Sequence, residues 1–72
     1  MKKNKKANVK MEIGVGRYSN GLCFFTSMHP AFREKWGDRR DNISPGCLYS
    51  IMDDLATWAN NEVGVGCFFY MF

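Results

Sequence analysis

The chain has 72 residues, of which 46% are hydrophobic and 15% aromatic, and this apolar content excludes an intrinsically disordered protein. Its formal net charge is +3, but five lysines lie within the first ten residues, and the rest of the chain has five basic and seven acidic side chains. The body is therefore weakly acidic. The longest apolar run, Cys67 to Phe72, is too short to span a bilayer, so we expect no membrane contact and a cytoplasmic protein.

The lysine-rich start of the chain predicts a separate tail. Residues 1–8 are polar, and we expect a flexible basic tail there, followed by a single ββαβ-type domain over residues 9–72. Such a charge run is typical of a solvated arm, and it can also neutralise phosphate groups. The candidates for phosphate contacts are Lys2, Lys3, Lys5 and Lys6.

A hairpin is predicted next. Apolar residues alternate with charged residues or glycine over residues 9–16, which indicates a strand. Asn20-Gly21 favours a two-residue hairpin loop, because both loop residues need a positive φ, and residues 22–28 then form the returning strand. This register places Phe25 opposite Gly16, where its ring can cover the bare backbone.

Two helices are predicted between the hairpin and the last strand. Pro30 suits the first position of a short helix that Gly37 ends, and residues 37–42 then form a charged loop. Ser44-Pro45 begins a longer helix that stops near Asn60. The helical spacing of its apolar residues predicts one buried stripe, formed by Leu48, Ile51, Met52, Leu55 and Ala59.

The last predicted strand, residues 63–72, is expected beside the first strand and antiparallel to it. The fold class is then α+β, a small split βαβ with a three-stranded antiparallel sheet in the order 2-1-3. One short and one longer helix are expected on one face of this sheet. The side chains beneath them are predicted to be Ile13, Val15, Phe24, Val63, Val65, Phe69 and Met71.

A repeated segment defines the opposite face of the sheet. Residues 12–16 read Glu-Ile-Gly-Val-Gly and residues 62–66 read Glu-Val-Gly-Val-Gly, and a Cys-Phe-Phe follows each copy. Alternation of glycine with branched residues leaves one strand face bare. Either this face remains open for a partner or the short helix with Phe32 and Trp36 folds back over it. The candidate partner-binding residues are Tyr18, Phe25, Phe68, Tyr70, Phe72, Gly14, Gly16, Gly64 and Gly66.

Motifs for catalysis or cofactor binding are incomplete. The two Gly-x-Gly pairs lack the third glycine and the following helix of a dinucleotide site. Cys23 and His29 have no sequence context of a nucleophile and its base, and three scattered cysteines with one histidine do not have metal-ligand spacing. We expect reduced cysteines, no catalytic residue, no metal, no cofactor and no enzyme activity.

Two resemblances bear on function. Gly66-Cys67-Phe68-Phe69-Tyr70-Met71-Phe72 resembles the aromatic strand of RNA-recognition-motif domains, whose alternate rings stack on bases. The resemblance covers seven residues, and Val65 stands where that strand has a basic residue. In size and style the chain also resembles the small stand-alone proteins with which bacteriophages and mobile elements block host machines, anti-CRISPR proteins among them.

The sequence therefore predicts a small, non-enzymatic protein-binding module. It would dock through the glycine and aromatic face or through the free edge of the last strand, and two copies could pair there as a homodimer. The resemblance in size and style to phage and mobile-element proteins implies an inhibitor of a host macromolecular machine. The alternative is a single-stranded nucleic-acid binder that combines ring stacking with the lysine tail.

Overall fold

The computed structural model of the chain describes residues 10–72. These residues form β1 (Met11–Arg17), β2 (Cys23–Ser27), α1 (Pro30–Trp36), β3 (Arg39–Ile43), α2 (Leu48–Trp58) and β4 (Cys67–Met71). The strands form one sheet in the order β3-β2-β1-β4. The α+β class is confirmed, and so is the position of the last strand beside the first. The sheet, however, has four strands rather than three.

The β1–β2 hairpin has a three-residue loop, so the predicted two-residue loop is wrong. The Tyr18 N–H donates to the Leu22 carbonyl at 2.7 Å and the Gly21 N–H donates to the Tyr18 carbonyl at 2.9 Å. Gly21 has a φ of 91°, which is typical of a turn followed by a left-handed residue. The Asn20 side chain accepts from the Leu22 N–H at 3.0 Å and stabilises this loop.

The longer loop changes the hairpin register by one residue. Gly16 is paired with Phe24, and Val15 with Phe25. Because a shift of one residue turns every side chain of a strand to the opposite face, Phe25 and Cys23 point into the core, and Phe24 points outward. The prediction that placed Phe24 beneath the helices and Phe25 on the open face is therefore wrong.

The segment predicted as a charged loop forms an edge strand. Arg39 pairs with Thr26 and Arg40 with Phe25, with a bulge along β3. The Arg40 guanidinium lies 4.3 Å from the centre of the Trp36 ring, so a charged side chain here still covers apolar surface. Edge strands often carry charged side chains that prevent pairing with other chains, and this charged segment therefore lacks the apolar alternation that predicts a strand.

The extra strand reverses the direction of everything after it. Since β3 is antiparallel to β2 and β2 is antiparallel to β1, β3 runs in the direction of β1. Helix α2 then returns along the sheet, and β4 pairs with β1 in parallel, with Ile13 opposite Phe69. The predicted antiparallel pairing is wrong. A split βαβ unit is present, but it consists of β3, α2 and β4, with β2 and β1 between the two strands.

Both helices cover the same face of the sheet, as predicted. Phe32 of α1 is completely buried. Trp36 packs edge-on against Trp58 of α2, with 5.9 Å between the ring centroids. The alternative in which the short helix covers the open face is therefore wrong. The buried apolar core comprises Met11, Ile13, Val15, Cys23, Phe25, Phe32, Ile43, Leu48, Leu55, Ala59 and Val65.

The predicted end of the long helix and start of the last strand are both displaced. A π-helical turn, Ala59–Val63, continues α2 past Asn60. It ends at Gly64, which has a φ of 86° and whose N–H donates to the Ala59 carbonyl at 2.7 Å. Glycine at this position is a common helix stop. The strand therefore begins at Cys67 rather than at residue 63.

No helix within residues 10–72 is long and apolar enough to cross a membrane.

Candidate functional site

Five aromatic rings form a continuous layer on the open side of the sheet, which we call the aromatic face. Its rings touch in series, with centroid separations of 4.8 Å, 6.0 Å, 5.9 Å and 6.4 Å. One ring directly follows β1, one lies on β2, and the other three occupy alternate positions along β4 and the residue after it. Three adjacent strands therefore contribute. In order of contact the rings are Tyr18, Phe24, Phe72, Tyr70 and Phe68.

Two strand glycines form the floor of the aromatic face. Gly14 and Gly16 are buried although they lie on the open side, because rings lie over them. A Cβ on Gly14 would meet the Phe72 ring at 2.9 Å and the Tyr70 ring at 3.3 Å, and a Cβ on Gly16 would overlap the Phe24 ring. The glycines therefore allow the rings to lie low on the backbone, and they are not free surface for a partner.

The rings from the β4 end of the layer remain accessible. Phe72 is 73% exposed, Phe68 54% and Tyr70 41%, whereas Tyr18 and Phe24 are half-buried by their neighbours. Because both helices lie on the other side of the sheet, no helix of residues 10–72 covers them. Exposed apolar side chains that form one patch are typical of an interaction site.

Polar groups lie along the β2–β3 side of the aromatic face. The Arg39 guanidinium lies 5.2 Å from the centre of the Phe24 ring, and its Nε is 3.6 Å from an Asp41 carboxylate oxygen. The Tyr18 hydroxyl donates to the same carboxylate at 2.5 Å. This hydrogen bond raises the pKa of Tyr18, while the nearby positive charge of Arg39 opposes the increase. The Arg39–Asp41 pair leaves this border with no net charge.

The residues with catalytic chemistry do not converge. Cys23 and His29 flank β2 at opposite ends, about 20 Å apart for a strand of this length. The Nδ1 atom of His29 accepts from the Ala31 N–H at 3.1 Å, so His29 caps the start of α1. Within residues 10–72 no group of three or more His, Cys, Asp or Glu side chains could hold a metal ion.

The structure brings together six of the nine predicted partner-binding residues. Tyr18, Phe68, Tyr70 and Phe72 lie on the aromatic face, and Gly14 and Gly16 lie beneath its rings. Three others do not join it: Phe25 is completely buried, and Gly64 and Gly66 precede β4 rather than lying in it. The predicted phosphate contacts Lys2, Lys3, Lys5 and Lys6 lie outside the described residues.

Sequence reasoning missed two residues at this site, Phe24 and Arg39. Gly21 is the signal that could have identified Phe24, because a glycine at the third loop position fits a three-residue hairpin loop and its register. Arg39 has no such signal in a charged segment.

A scan against protein-family models, a search of curated proteins and a search of solved structures found no match for the chain. The function is therefore inferred from the geometry of the aromatic face.

Proposed function

We propose that the chain is a small, non-enzymatic module that binds a protein partner through the aromatic face. The observation that carries this proposal is the exposed ring layer of Phe68, Tyr70 and Phe72. From their exposed fractions, these three rings present on the order of 300 Å² to solvent, since a large aromatic side chain buries about 200 Å². Aromatic residues are enriched in the centres of protein interfaces, where they contribute most of the binding energy.

The charge around the rings favours a protein partner over a nucleic acid. Residues 10–72 contain six basic and seven acidic side chains, a formal charge of −1, so the body has no excess of positive charge for a phosphate backbone. Arg39 lies beside the rings but is paired with Asp41. A nearly neutral border around an apolar centre resembles the arrangement of a protein interface.

One observation supports the second candidate, single-stranded nucleic-acid binding. The rings form a connected series over three strands, and the Arg39 guanidinium lies 5.2 Å from the centre of the Phe24 ring. Rings and guanidinium groups in such a series stack on successive bases without strong sequence preference. This candidate depends on the lysine tail for phosphate contacts, and it predicts binding that weakens steeply with salt.

The proposal can be tested with an affinity capture that compares three proteins. The wild-type chain, Phe68→Ala and Tyr49→Ala are each used to retain proteins from the native cell lysate. Tyr49 is 78% exposed and lies on α2, away from the aromatic face, so it is a matched control. We expect a protein that the wild type and Tyr49→Ala retain and that Phe68→Ala loses. Equal retention by all three would exclude the aromatic face as the docking site.

Salt dependence separates the two candidates. Apolar docking of the captured protein should change little between about 0.05 M and 0.5 M salt, whereas phosphate contacts lose affinity steeply over this range. Fluorescence anisotropy of a labelled mixed-sequence oligonucleotide at the lower salt is the companion measurement. Tight oligonucleotide binding that disappears in Phe68→Ala would favour the second candidate and contradict the first.

Two narrower expectations remain predictions. The first is that the bound protein belongs to a host macromolecular machine and that docking blocks it. The second is a cytoplasmic location, which the three free thiols of Cys23, Cys47 and Cys67 favour, because disulfides are rare in that compartment.

A further inference from the structure

The two edges of the sheet differ in how they are protected. At one edge β3 carries Arg39, Arg40 and Asp41, has a bulge in its pairing and contains Asn42 with a φ of 63°. At the other edge β4 reads Cys-Phe-Phe-Tyr-Met, with no charge, proline or glycine. Natural proteins use charges and bulges to prevent strand edges from pairing with other chains. Strand β4 has neither protection.

The hydrogen bonds between β1 and β4 define which backbone groups remain at the free edge. The Met11 N–H donates to the Gly66 carbonyl at 2.8 Å, and the Phe72 N–H donates to the Val15 carbonyl at 3.1 Å. Even-numbered residues of this segment therefore point their backbone groups toward β1. Because successive residues of a strand point to opposite sides, Cys67, Phe69 and Met71 direct their N–H and C=O groups away from the sheet.

We propose that two copies of the chain pair along β4 in an antiparallel arrangement, with the two-fold axis at Phe69. Cys67 of one copy then lies opposite Met71 of the second copy, and the two Phe69 residues lie opposite each other. All three positions use backbone groups that β1 leaves free. The two four-stranded sheets become one sheet of eight strands. A register shifted by one residue would place the free backbone groups of one copy opposite residues whose backbone groups already bond to β1. A register shifted by two residues would lose one of the three hydrogen-bonded pairs.

Side-chain packing agrees with this register. Phe68 of one copy lies opposite Tyr70 of the second copy on the aromatic face, twice by symmetry, and aromatic cross-strand pairs stabilise antiparallel strands. Met71 is 65% exposed and lies opposite Cys67 of the second copy, so the pairing covers part of an apolar side chain at the edge.

Dimerisation through the edge is independent of the proposed function. The edge contributes backbone groups and the cross-strand contact of Phe68 with Tyr70, whereas the proposed partner contacts the outward surfaces of the rings, and the dimer would join two aromatic faces into one continuous surface. The two proposals can therefore fail separately. A dimer with no protein partner would leave the edge assignment intact, and a monomer with a partner would leave the docking face intact.

The first experiment measures the mass of the full chain by light scattering and sedimentation at about 100 µM. We expect twice the monomer mass of 8.3 kDa. Met71→Pro removes an N–H that points to the free edge and leaves the β1–β4 bonds intact, so it should raise the dissociation constant about tenfold or more. Met71→Ala keeps the N–H and is the matched control. A monomeric wild type, or dimers of equal affinity in the two variants with native circular dichroism, would overturn the proposal.

The second experiment tests the register with a disulfide. In a Cys47→Ser background, M71C places a thiol opposite Cys67 of the second copy at about 5.5 Å between Cα atoms, which suits a disulfide. Within one chain the same two positions are about 13 Å apart. Because burial raises the pKa of Cys67, oxidation by diamide is carried out near pH 9, at about its unperturbed value. We expect a covalent dimer with M71C and none in the Cys47→Ser background alone. If the protein with M71C forms no covalent dimer, the proposed register of the two β4 strands is overturned.

Discussion

At the residue scale, the glycines of the aromatic face act through the rings that they admit. Gly16 is opposite Phe24, and its missing side chain is the space that the Phe24 ring fills. Gly66 follows the same Gly-Val pair in sequence, but a Cβ on Gly66 would meet nothing within 4 Å. The repeated segment thus has two different physical roles. One copy is a strand beneath rings, and the other is the end of a helix and a loop.

This difference predicts opposite effects of alanine at the two positions. Gly66→Ala should be neutral or stabilise by up to about 1 kcal/mol, because it reduces the entropy of the unfolded chain. Gly16→Ala should destabilise by about 1–2 kcal/mol relative to Gly66→Ala, because the new methyl group displaces the Phe24 ring. Urea unfolding of both variants measures the difference. Equal free energies of unfolding would show that the ring over Gly16 contributes no stability.

The Tyr18–Asp41 hydrogen bond predicts a loss of stability at alkaline pH. The neutral phenol is the donor, so folding raises the pKa of Tyr18 above its ordinary value of about 10. The stabilisation is complete below that value and is lost as the pH rises through the higher pKa of the folded state. Urea midpoints at about pH 9 and pH 11 should therefore fall more in the wild type than in Tyr18→Phe. Equal decreases of the urea midpoint in the two proteins would mean that the Tyr18–Asp41 hydrogen bond does not contribute to stability.

At the element scale, β3 determines the topology although it is the least apolar strand. Local contacts hold the residue just before it: the Thr26 hydroxyl donates to the Asp38 carbonyl at 3.0 Å, and the Arg33 guanidinium pairs with the Asp38 carboxylate at 2.9 Å. Ile43 is its one buried residue. Removing this strand from the path of the chain would make β4 antiparallel to β1, which is the arrangement that the sequence predicted.

Asn42 provides a test of the β3 backbone. Its φ of 63° is in the left-handed region, which asparagine tolerates and which costs other side chains about 1–2 kcal/mol. Asn42→Ala should therefore destabilise the protein by about 1 kcal/mol relative to Asn42→Gly, in which the positive φ has no steric cost. Thermal unfolding of the pair provides the comparison. A more stable alanine variant would contradict this conformation at the end of β3.

At the scale of the whole molecule, the sheet separates two environments. One side is a dry core in which Leu55 is 1% exposed, and the other is the aromatic face, where Phe68 is 54% exposed. In the proposed function, most of the stability comes from one side of the sheet and binding occurs on the other. A residue on the core side contributes to folding, and a ring on the open side remains available for contact with another molecule.

A pair of alanine variants tests this separation. Leu55→Ala should cost roughly 2–5 kcal/mol of unfolding free energy, because it leaves a cavity in the core. Phe68→Ala should cost less than about 1 kcal/mol, because the ring is largely in solvent, and it should reduce the binding of a dye that reports exposed apolar surface. The assignment of the two sides would be reversed if Phe68→Ala unfolded the domain and Leu55→Ala left it stable.

Local patterns in the sequence determined most of the elements. Alternation identified β1, Pro30 and Gly37 bounded α1, and the apolar stripe identified the buried side of α2, because these signals act within one turn or one strand. The same signals placed four of the five rings on the open face. The fifth ring, Phe24, was predicted beneath the helices and Phe25 in its place, since the side to which a strand residue points depends on the length of the hairpin loop.

Only the tertiary structure decided the register of the hairpin, the presence of β3 and the direction of β4. The last two depend on segments distant in sequence: the charged segment becomes a strand because β2 offers it a free edge, and β4 takes its direction from β3. The register depends on the hairpin loop, because Asn20-Gly21 fits a two-residue loop and Gly21 in the left-handed region fits a three-residue loop. A single added strand reverses the chain and converts an antiparallel edge into a parallel one. The presence of β3 and the direction of β4 arise from pairing energies between segments, which no local pattern encodes.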